Sequence, residues 1–336
     1  AWTGGHADGS NDFLWTAVRE AKEETGIQKP YPLTGAILSL DILPVKAHQK
    51  KGVPVPAHQH YNVTYGIIAD QKETLRIQPD ENTAVQWIPA EQLPEICKEP
   101  HMLPVYEKVI HRMRRWKAMQ EQALLQTAQP LLAWYPLHAR DLPWRHTQEP
   151  YRIWLSEIML QQTRVEAVKN YYARFLETFP DIAALAAAEQ DQVNKCWEGL
   201  GYYSRAANLR KAAQMIQEQY GGVFPRTWEE VRGLAGVGDY TAGAVCSICY
   251  GLPTPAVDGN VLRVAARVMN HFCEIDRPEQ KAAVTALLRQ VYLDNPEHCG
   301  TLTQAFMEIG ATVCVPNGQP HCEACPLSEL CLGRQY

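Results

Sequence analysis

The chain has 336 residues, 46% of them hydrophobic and 21% charged, enough for two domains that each bury a core of ordinary size. No run of eighteen apolar residues is present and the first residues lack a basic-then-apolar leader pattern, which argues against a membrane partner and against a signal peptide. The net charge is −5, with 14 acidic against 14 basic side chains in residues 1–117 and 23 against 18 in residues 118–336, so charge alone argues against a general nucleic-acid binder and any DNA contact must rest on local geometry.

In chain order, residues 12–25 read as a helix, with Phe13, Ala17, Ala21 and Glu24 at helical spacing. Residues 34–46 and 60–69 alternate and are rich in β-branched and aromatic residues, so they read as strands. The front part is therefore α/β. From about residue 101 strand signals fade, and helical patterns punctuated by Gly and Pro take over. They cover 120–137, 151–165, 168–178, 191–197, 204–219, 227–233, 240–250, 259–271, 278–293 and 301–313. This change predicts a front domain over 1–112, a linker over 113–119 in the basic stretch "HRMRRWKAMQEQ", and an all-α domain over 120–336. No fixed-period repeat and no low-complexity segment is evident.

Three motifs in the helical part carry chemistry. "LAGVGDYTAGA" places Gly236 and Gly238 around Val237 between two helical patterns, so that backbone N–H groups and a helix N-terminus can face a phosphate without positive side chains. Taken alone, such a turn reads equally well as an ordinary helix–helix connection. Asp258 follows twenty residues later in "AVDGNVLRV", where it serves either as a reacting carboxylate or as an N-cap. The tail reads Cys314-x7-Cys322-x2-Cys325-x5-Cys331, a metal-ligand spacing that suits zinc or an iron–sulfur cluster. Cys246 and Cys249 also have a close spacing, but they fall in an apolar helical pattern and read as core. Ten cysteines distributed in this way point to a reducing cytoplasm rather than a secreted disulfide scaffold.

Together the hairpin, the aspartate and the cysteine tail resemble the endonuclease III superfamily of DNA glycosylases. "LPWR" at 142–145, "PYRIWLSEIMLQQTRV" at 150–165 and "WEGLGYYSRAANL" at 197–209 sharpen this to a resemblance to MutY-type adenine DNA glycosylases over residues 120–333. The resemblance implies a helix-hairpin-helix element over 231–250 and a 4Fe–4S cluster loop over 314–331, held by Cys314, Cys322, Cys325 and Cys331. It implies excision of adenine paired with 8-oxoguanine or guanine in double-stranded DNA, by a monomer of the bacterial cytoplasm. Glu157 matches the family's proton donor and Asp258 the carboxylate that faces the sugar, with Tyr240 and Asn260 positioning them. Gln162 and Tyr202 match residues that enter the duplex, and Gly236, Val237 and Gly238 those that grip its backbone. Arg140, Trp144, Arg145 and Leu160 match the pocket around the extruded base. Lyase-type relatives carry a lysine where this chain has Tyr240, so no strong lyase activity is implied. Ala235 replaces the family's usual proline, and the first cysteine gap is seven residues instead of six. A related glycosylase of different base choice remains an alternative.

The front domain has its own signature. "GHADGSNDFLWTAVREAKEETGI" at 5–27 resembles the Nudix box G-x5-E-x7-R-E-U-x-E-E-x-G-U, where U is apolar, through Gly5, Arg19, Glu20, Glu23, Glu24, Gly26 and Ile27. Asn11 stands in place of the first glutamate. The resemblance implies Mg²⁺ at Glu20, Glu23 and Glu24, water activation on a diphosphate, and a late acidic residue at Glu81. Only four residues precede the box where the family has further strands, and the chain does not begin with Met, so an N-terminally incomplete Nudix domain with apolar edge near 34–46 is expected. A nucleoside-diphosphate hydrolase with a helical DNA-binding module is the other alternative.

Overall fold

The computed structural model describes residues 3–7, 9–50, 53–78, 84–274 and 277–335. It divides into two compact units: residues 1–123 with 266–274 and 331–336, and residues 124–265 with 275–330.

The first unit is α/β. Helix α1 (Phe13–Thr25) starts where the Asp12 side chain accepts from Trp15 N–H, and ends at Gly26, whose φ of 74° closes the helix in the left-handed region. Strand β1 (Tyr31–Pro32) is short. Strand β2 (Ser39–Val45) is followed by a hairpin of β3 (His48–Lys50) and β4 (Val53–Val55), then by β5 (His58–Thr64) and β6 (Ile67–Ile68). β2 pairs antiparallel with β5 from Ser39↔Thr64 to Val45↔His58, and β1 pairs with β6. The strand expected over 34–46 is thus shorter, and that over 60–69 breaks at Tyr65–Gly66. Leu40, Ile42 and Tyr61 on the β2–β5 pair are exposed, so part of this sheet's apolar surface is uncovered among the described residues.

A short helix α2 (Leu93–Ile96) precedes α3 (Leu103–Leu125). Residues 113–119, expected as a linker, lie inside α3, and the division between units falls at its last turn. Lys, Arg, Met, Trp and Gln sustain a helix as readily as a linker, and here Lys108 pairs with Asp41 while Arg112 donates to the Leu38 carbonyl and Gln120 to that of Leu33.

The second unit is all helical. Its elements are α4 (Ala128–His138), α5 (Pro150–Leu160), α6 (Val165–Thr178), α7 (Ile182–Ala187), α8 (Gln190–Trp197) and α9 (Ser204–Tyr220). They continue with α10 (Trp228–Arg232), α11 (Asp239–Tyr250), α12 (Gly259–Val268, whose last three residues are assigned to the first unit), α13 (Pro278–Leu293) and α14 (Cys299–Thr312). A final turn, α15 (Leu332–Gln335), returns to the first unit. The core gathers on α5, where Tyr151 and every residue from Ile153 to Met159 are buried. Trp154, Trp197 and Phe175 are almost completely enclosed. Gly243 lets α11 pass close to the 255–256 backbone, since a Cβ there would lie 2.6 Å from the Pro255 carbonyl oxygen. No described helix is long and apolar enough to cross a membrane.

Trp154→Ala should destabilise the helical unit by about 3–5 kcal/mol, because the vacated volume lies at the centre of the core. Denaturant melts followed by far-UV circular dichroism would check this, and an unchanged midpoint would show that the cluster is not the core.

Candidate active site

Three helices, α5, α11 and α12, and the turn before α11 bring the candidate side chains together. α5 carries Glu157, one turn before its C-terminus. The turn between α10 and α11 carries Gly236 at φ 73°, pressed against Asn208, with Val237 buried and Gly238 as the N-cap residue of α11. Only Gly236 of the two glycines needs the left-handed region. Tyr240 follows in the first turn of α11. Arg232 donates to Asp239 Oδ1 at 2.5 Å and to the Val237 carbonyl at 3.0 Å, which neutralises the carboxylate nearest this helix N-terminus and braces the turn.

Asp258 begins α12. Its Oδ1 accepts from Val261 N–H at 2.8 Å, so the N-cap reading of this residue is correct in geometry. Its Oδ2 accepts from Asn260 Nδ2 at 2.8 Å. The Asn260 side-chain oxygen Oδ1 accepts from Arg263, which also donates to the Gly310 and Cys314 backbone carbonyls. A Cβ on Gly310 would lie 2.8 Å from that of Asn260, so glycine there gives Asn260 its room.

The two carboxylates have different surroundings. Glu157 is 5% exposed, and its Oε2 accepts from the Tyr240 hydroxyl at 2.7 Å. Burial pushes its carboxyl up to about 7. The Tyr240 hydrogen bond opposes this, the charge of Asp258 adds to it, and Arg145 opposes it weakly. Burial likewise raises the Tyr240 hydroxyl, so it stays a donor. Glu157, Tyr240, Asp258 and Asn260 line one cavity of about 610 Å³ together with Leu160, Gln161, Gln162, Tyr202, Ser204 and Arg205. Residues more than a hundred positions apart in the chain thus meet at one place. A neutral carboxylic acid and an aspartate held by donors in one cavity can supply a proton to one end of a polarised bond and stabilise positive charge at the other.

Of the expected base pocket, only Leu160 lines this cavity. Arg140 grips Glu308 with its Nε at 2.8 Å and an Nη2 at 2.9 Å, and Arg145 adds Nη2 at 2.5 Å. Trp144 packs edge-on to Tyr172. These two arginines are occupied by a buried carboxylate that sequence reasoning passed over, because Glu308 sits in an apolar stretch more than 160 residues away. Burial would raise the Glu308 carboxyl, but the hydrogen bonds from Arg140 and then Arg145 outweigh that and hold it at about 2. Arg205 was also missed. A cation in the first turn of α9 opposes that helix's dipole, and this misfit was its one signal in the sequence.

In the first unit, a Cβ on Gly5 would collide with the Glu20 carboxylate, so the glycine of the box is there for close approach. Arg19 pairs with Glu20 at 3.0 Å and stands 3.9 Å from Glu23, and Gly4 N–H points to Glu24 at 3.4 Å. Glu20 opens on a cavity of about 480 Å³ whose wall includes Phe13, Tyr61 and Trp87. Glu81 lies outside the described residues. Among the described residues no three His, Cys, Asp or Glu side chains are gathered as a metal site, so the geometry gives no support to Mg²⁺ at Glu20, Glu23 and Glu24. The same holds for the cysteine side chains of the tail. Their backbone turns tightly, with Cys325 N–H donating to the Cys322 carbonyl and Ser328 N–H to that of Cys325, and all four are half-buried. As soft thiol donors they suit an iron–sulfur cluster in chemistry.

Residues 155–290 match the HhH-GPD superfamily of base excision DNA repair proteins, and residues 2–112 match the NUDIX domain. The chain is 44% identical over 214 residues to the adenine DNA glycosylase of Homo sapiens, covering 61% of this chain and 39% of that protein. It is 39% identical over 225 residues to that of Schizosaccharomyces pombe, covering 61% and 48%. For the adenine DNA glycosylase of Buchnera aphidicola (subsp. Baizongia pistaciae) the figures are 36% over 209 residues, 60% and 57%. The chain therefore spans about half the length of the curated relatives it matches. Among solved structures, a thermostable thymine-DNA glycosylase superposes with a TM-score of 0.57 at 26% identity, over 65% of this chain and 98% of that one. An endonuclease III–DNA complex superposes with a TM-score of 0.54 at 24% identity, over 64% and 96%, and shares the fold. A stretch that matches the NUDIX domain thus stands in front of one that matches the HhH-GPD superfamily on one chain.

Glu157 makes a pH-dependent test of this geometry. Its carboxyl rises from 4.5 in the ordinary state to about 7 in the fold, so the folded chain holds a proton that the unfolded chain has released between those values. Its contribution is full below 4.5 and is lost as pH climbs through 7. Glu157→Gln removes this titration, so its stability relative to the parent should improve by about 3 kcal/mol between pH 4.5 and pH 8. Urea melts at both pH values would show it, and a difference independent of pH would refute the buried acid.

Proposed function

We propose that the chain is a base-excision glycosylase that extrudes adenine mispaired with 8-oxoguanine or guanine from duplex DNA and hydrolyses its N-glycosidic bond. The single observation that carries this reading is the neutral, buried Glu157 in one cavity with Asp258. Glu157 donates its proton to a ring nitrogen of the adenine. The bond to the sugar then breaks with its electron pair on the departing base, which leaves neutral. Asp258, held by Asn260 and by the start of α12, faces the oxocarbenium-like sugar and stabilises its charge. Water adds at that carbon and returns a proton to Glu157. Tyr240 keeps Glu157 in place and provides no amine for a Schiff base, so an abasic site is the end product. The turn at Gly236–Gly238 and the α11 N-terminus bind the backbone, and Gln162 and Tyr202 enter the stack.

The experiment is base release from duplexes with adenine opposite 8-oxoguanine, guanine, cytosine and thymine, read as alkali-labile sites. Release is expected opposite the first two. Asp258→Asn and Glu157→Gln should each lower the rate at least about 100-fold while duplex binding persists. Glu20→Gln should leave release unchanged. Parental rates in Asp258→Asn, or loss in Glu20→Gln, would place the chemistry elsewhere.

We further propose a 4Fe–4S cluster on Cys314, Cys322, Cys325 and Cys331, supported by thiolate number and spacing. The cluster would tie the tail into the fold; the chemistry above belongs to the protein's own side chains. The purified chain should be brown, with broad visible absorption that Cys322→Ser abolishes along with some thermal stability. A colourless, stoichiometrically zinc-loaded chain would refute the cluster.

A further inference from the structure

Among the described residues, three that are not glycine have φ in the left-handed region: Gln162 at 57°, Tyr202 at 48° and Asn270 at 50°. The first two line the cavity of Glu157 and Asp258. Bulky residues rarely adopt this conformation unless the surroundings over-determine it. Here one guanidinium is hydrogen-bonded to both turns. Arg205 is 8% exposed and sits between the two turns. Its Nη1 donates to the carbonyls of Ile158 at 2.9 Å, Met159 at 3.1 Å and Gln161 at 2.5 Å. Its Nη2 donates to the Thr163 hydroxyl at 3.3 Å and to the carbonyls of Leu200 at 2.9 Å and Gly201 at 3.2 Å. The partners include the residues on either side of Gln162 and the residue just before Tyr202. The guanidinium carbon also lies 5.2 Å from the Trp197 ring and 5.8 Å from that of Tyr202.

The arrangement serves geometry more than stability. None of these partners is a carboxylate; the charge is answered by the C-terminal carbonyls of α5, the negative end of that helix. The Nε is buried with no hydrogen-bond partner. A planar fork with donors on two edges can span two separate turns, which a lysine ammonium cannot.

We propose that Arg205 is the positioning residue that joins the turns of Gln162 and Tyr202 into one preset wedge, so that the base is extruded by an element already in its working shape. This rests on the glycosylase reading above. The chemistry at Glu157 and Asp258 does not use Arg205, so the two roles separate in experiment. One duplex carries 2-aminopurine in place of the target adenine, whose fluorescence rises on unstacking. Two others carry adenine paired with 8-oxoguanine, or adenine opposite an abasic-site analogue, where little unstacking is required.

Arg205→Lys should bind duplex within about threefold of the parent, lose most of the fluorescence rise, and release paired adenine at least about tenfold more slowly in single turnover. Release of the unpaired adenine should stay within about twofold. Equal loss on both substrates would show a collapsed site and overturn the proposal, as would parental fluorescence and rates. If Arg205→Lys fails to fold, Gly201→Ala is the second variant. It leaves Arg205 in place but strains a turn at φ 71° where no atom lies within 4 Å of the new Cβ, and the same selective loss is expected. If the parent releases no adenine, the glycosylase reading fails while the fluorescence of parent and variant still decides the role of Arg205. No fluorescence rise in the parent overturns both.

Discussion

The helical unit depends on a carboxylic acid placed in the middle of its most buried helix. α5 is enclosed from Ile153 to Met159, and Glu157 lines the cavity it shares with Asp258. A charged carboxylate there would lose its hydration, so the neutral form is favoured and the group holds a proton near neutral pH. The rest follows from that placement. Tyr240 must stand opposite as a donor, α11 must begin at that point, and α5 must end within one turn so that the acid meets an opening.

Glu308 shows that burial alone does not decide the outcome. It is less exposed than Glu157, yet its carboxyl lies far below the ordinary range while that of Glu157 lies above it. The difference is the partner. Two guanidiniums compensate Glu308 fully, and a phenol compensates Glu157 only in part. Within one unit, two glutamates are thus sorted into a structural anion and a proton reservoir by the donors around them. Asp258 is built differently again: a backbone N–H and an amide hold its two oxygens and fix its direction.

Much of this site was legible from spacing, because each element was marked by local chemistry. The Gly236–Gly238 turn, the residue that begins α12 and the acid in an apolar helical run each have a local reason to be what they are, and Glu157, Leu160, Gln162, Tyr202, Tyr240, Asp258 and Asn260 do meet in one cavity. The expected helix over 240–250 begins one residue earlier in the structure, and that over 12–25 one residue later. Tertiary pairings were not legible. Nothing in "FMEIG" announces that Glu308 will capture Arg140 and Arg145, so those arginines were read as open to a ligand. Nothing local separates a basic linker from the middle of α3, because the same residues suit both until Lys108 and Arg112 find Asp41 and the Leu38 carbonyl. The β3–β4 hairpin escaped notice because Pro54 and short polar flanks mask its alternation.

The acidic balance of the chain bears on how duplex DNA would be held. A chain with a net charge of −5 gains little from overall attraction to phosphates, so contacts must be local. Several arginines around the site are bound to the chain itself. Arg140 and Arg145 are tied to Glu308, Arg205 to backbone carbonyls, Arg232 to Asp239 and the Val237 carbonyl, and Arg263 to Asn260 and two carbonyls. What these arginines order is backbone: the hairpin before α11, the end of α5, the start of α12. In the proposed function, backbone amides and left-handed turns would present the contact surface. Their direction is fixed by the fold rather than by side-chain rotamers, so little freedom remains to be lost on binding. Under the proposed function that rigidity would matter, because a wedge that yields cannot unstack a base.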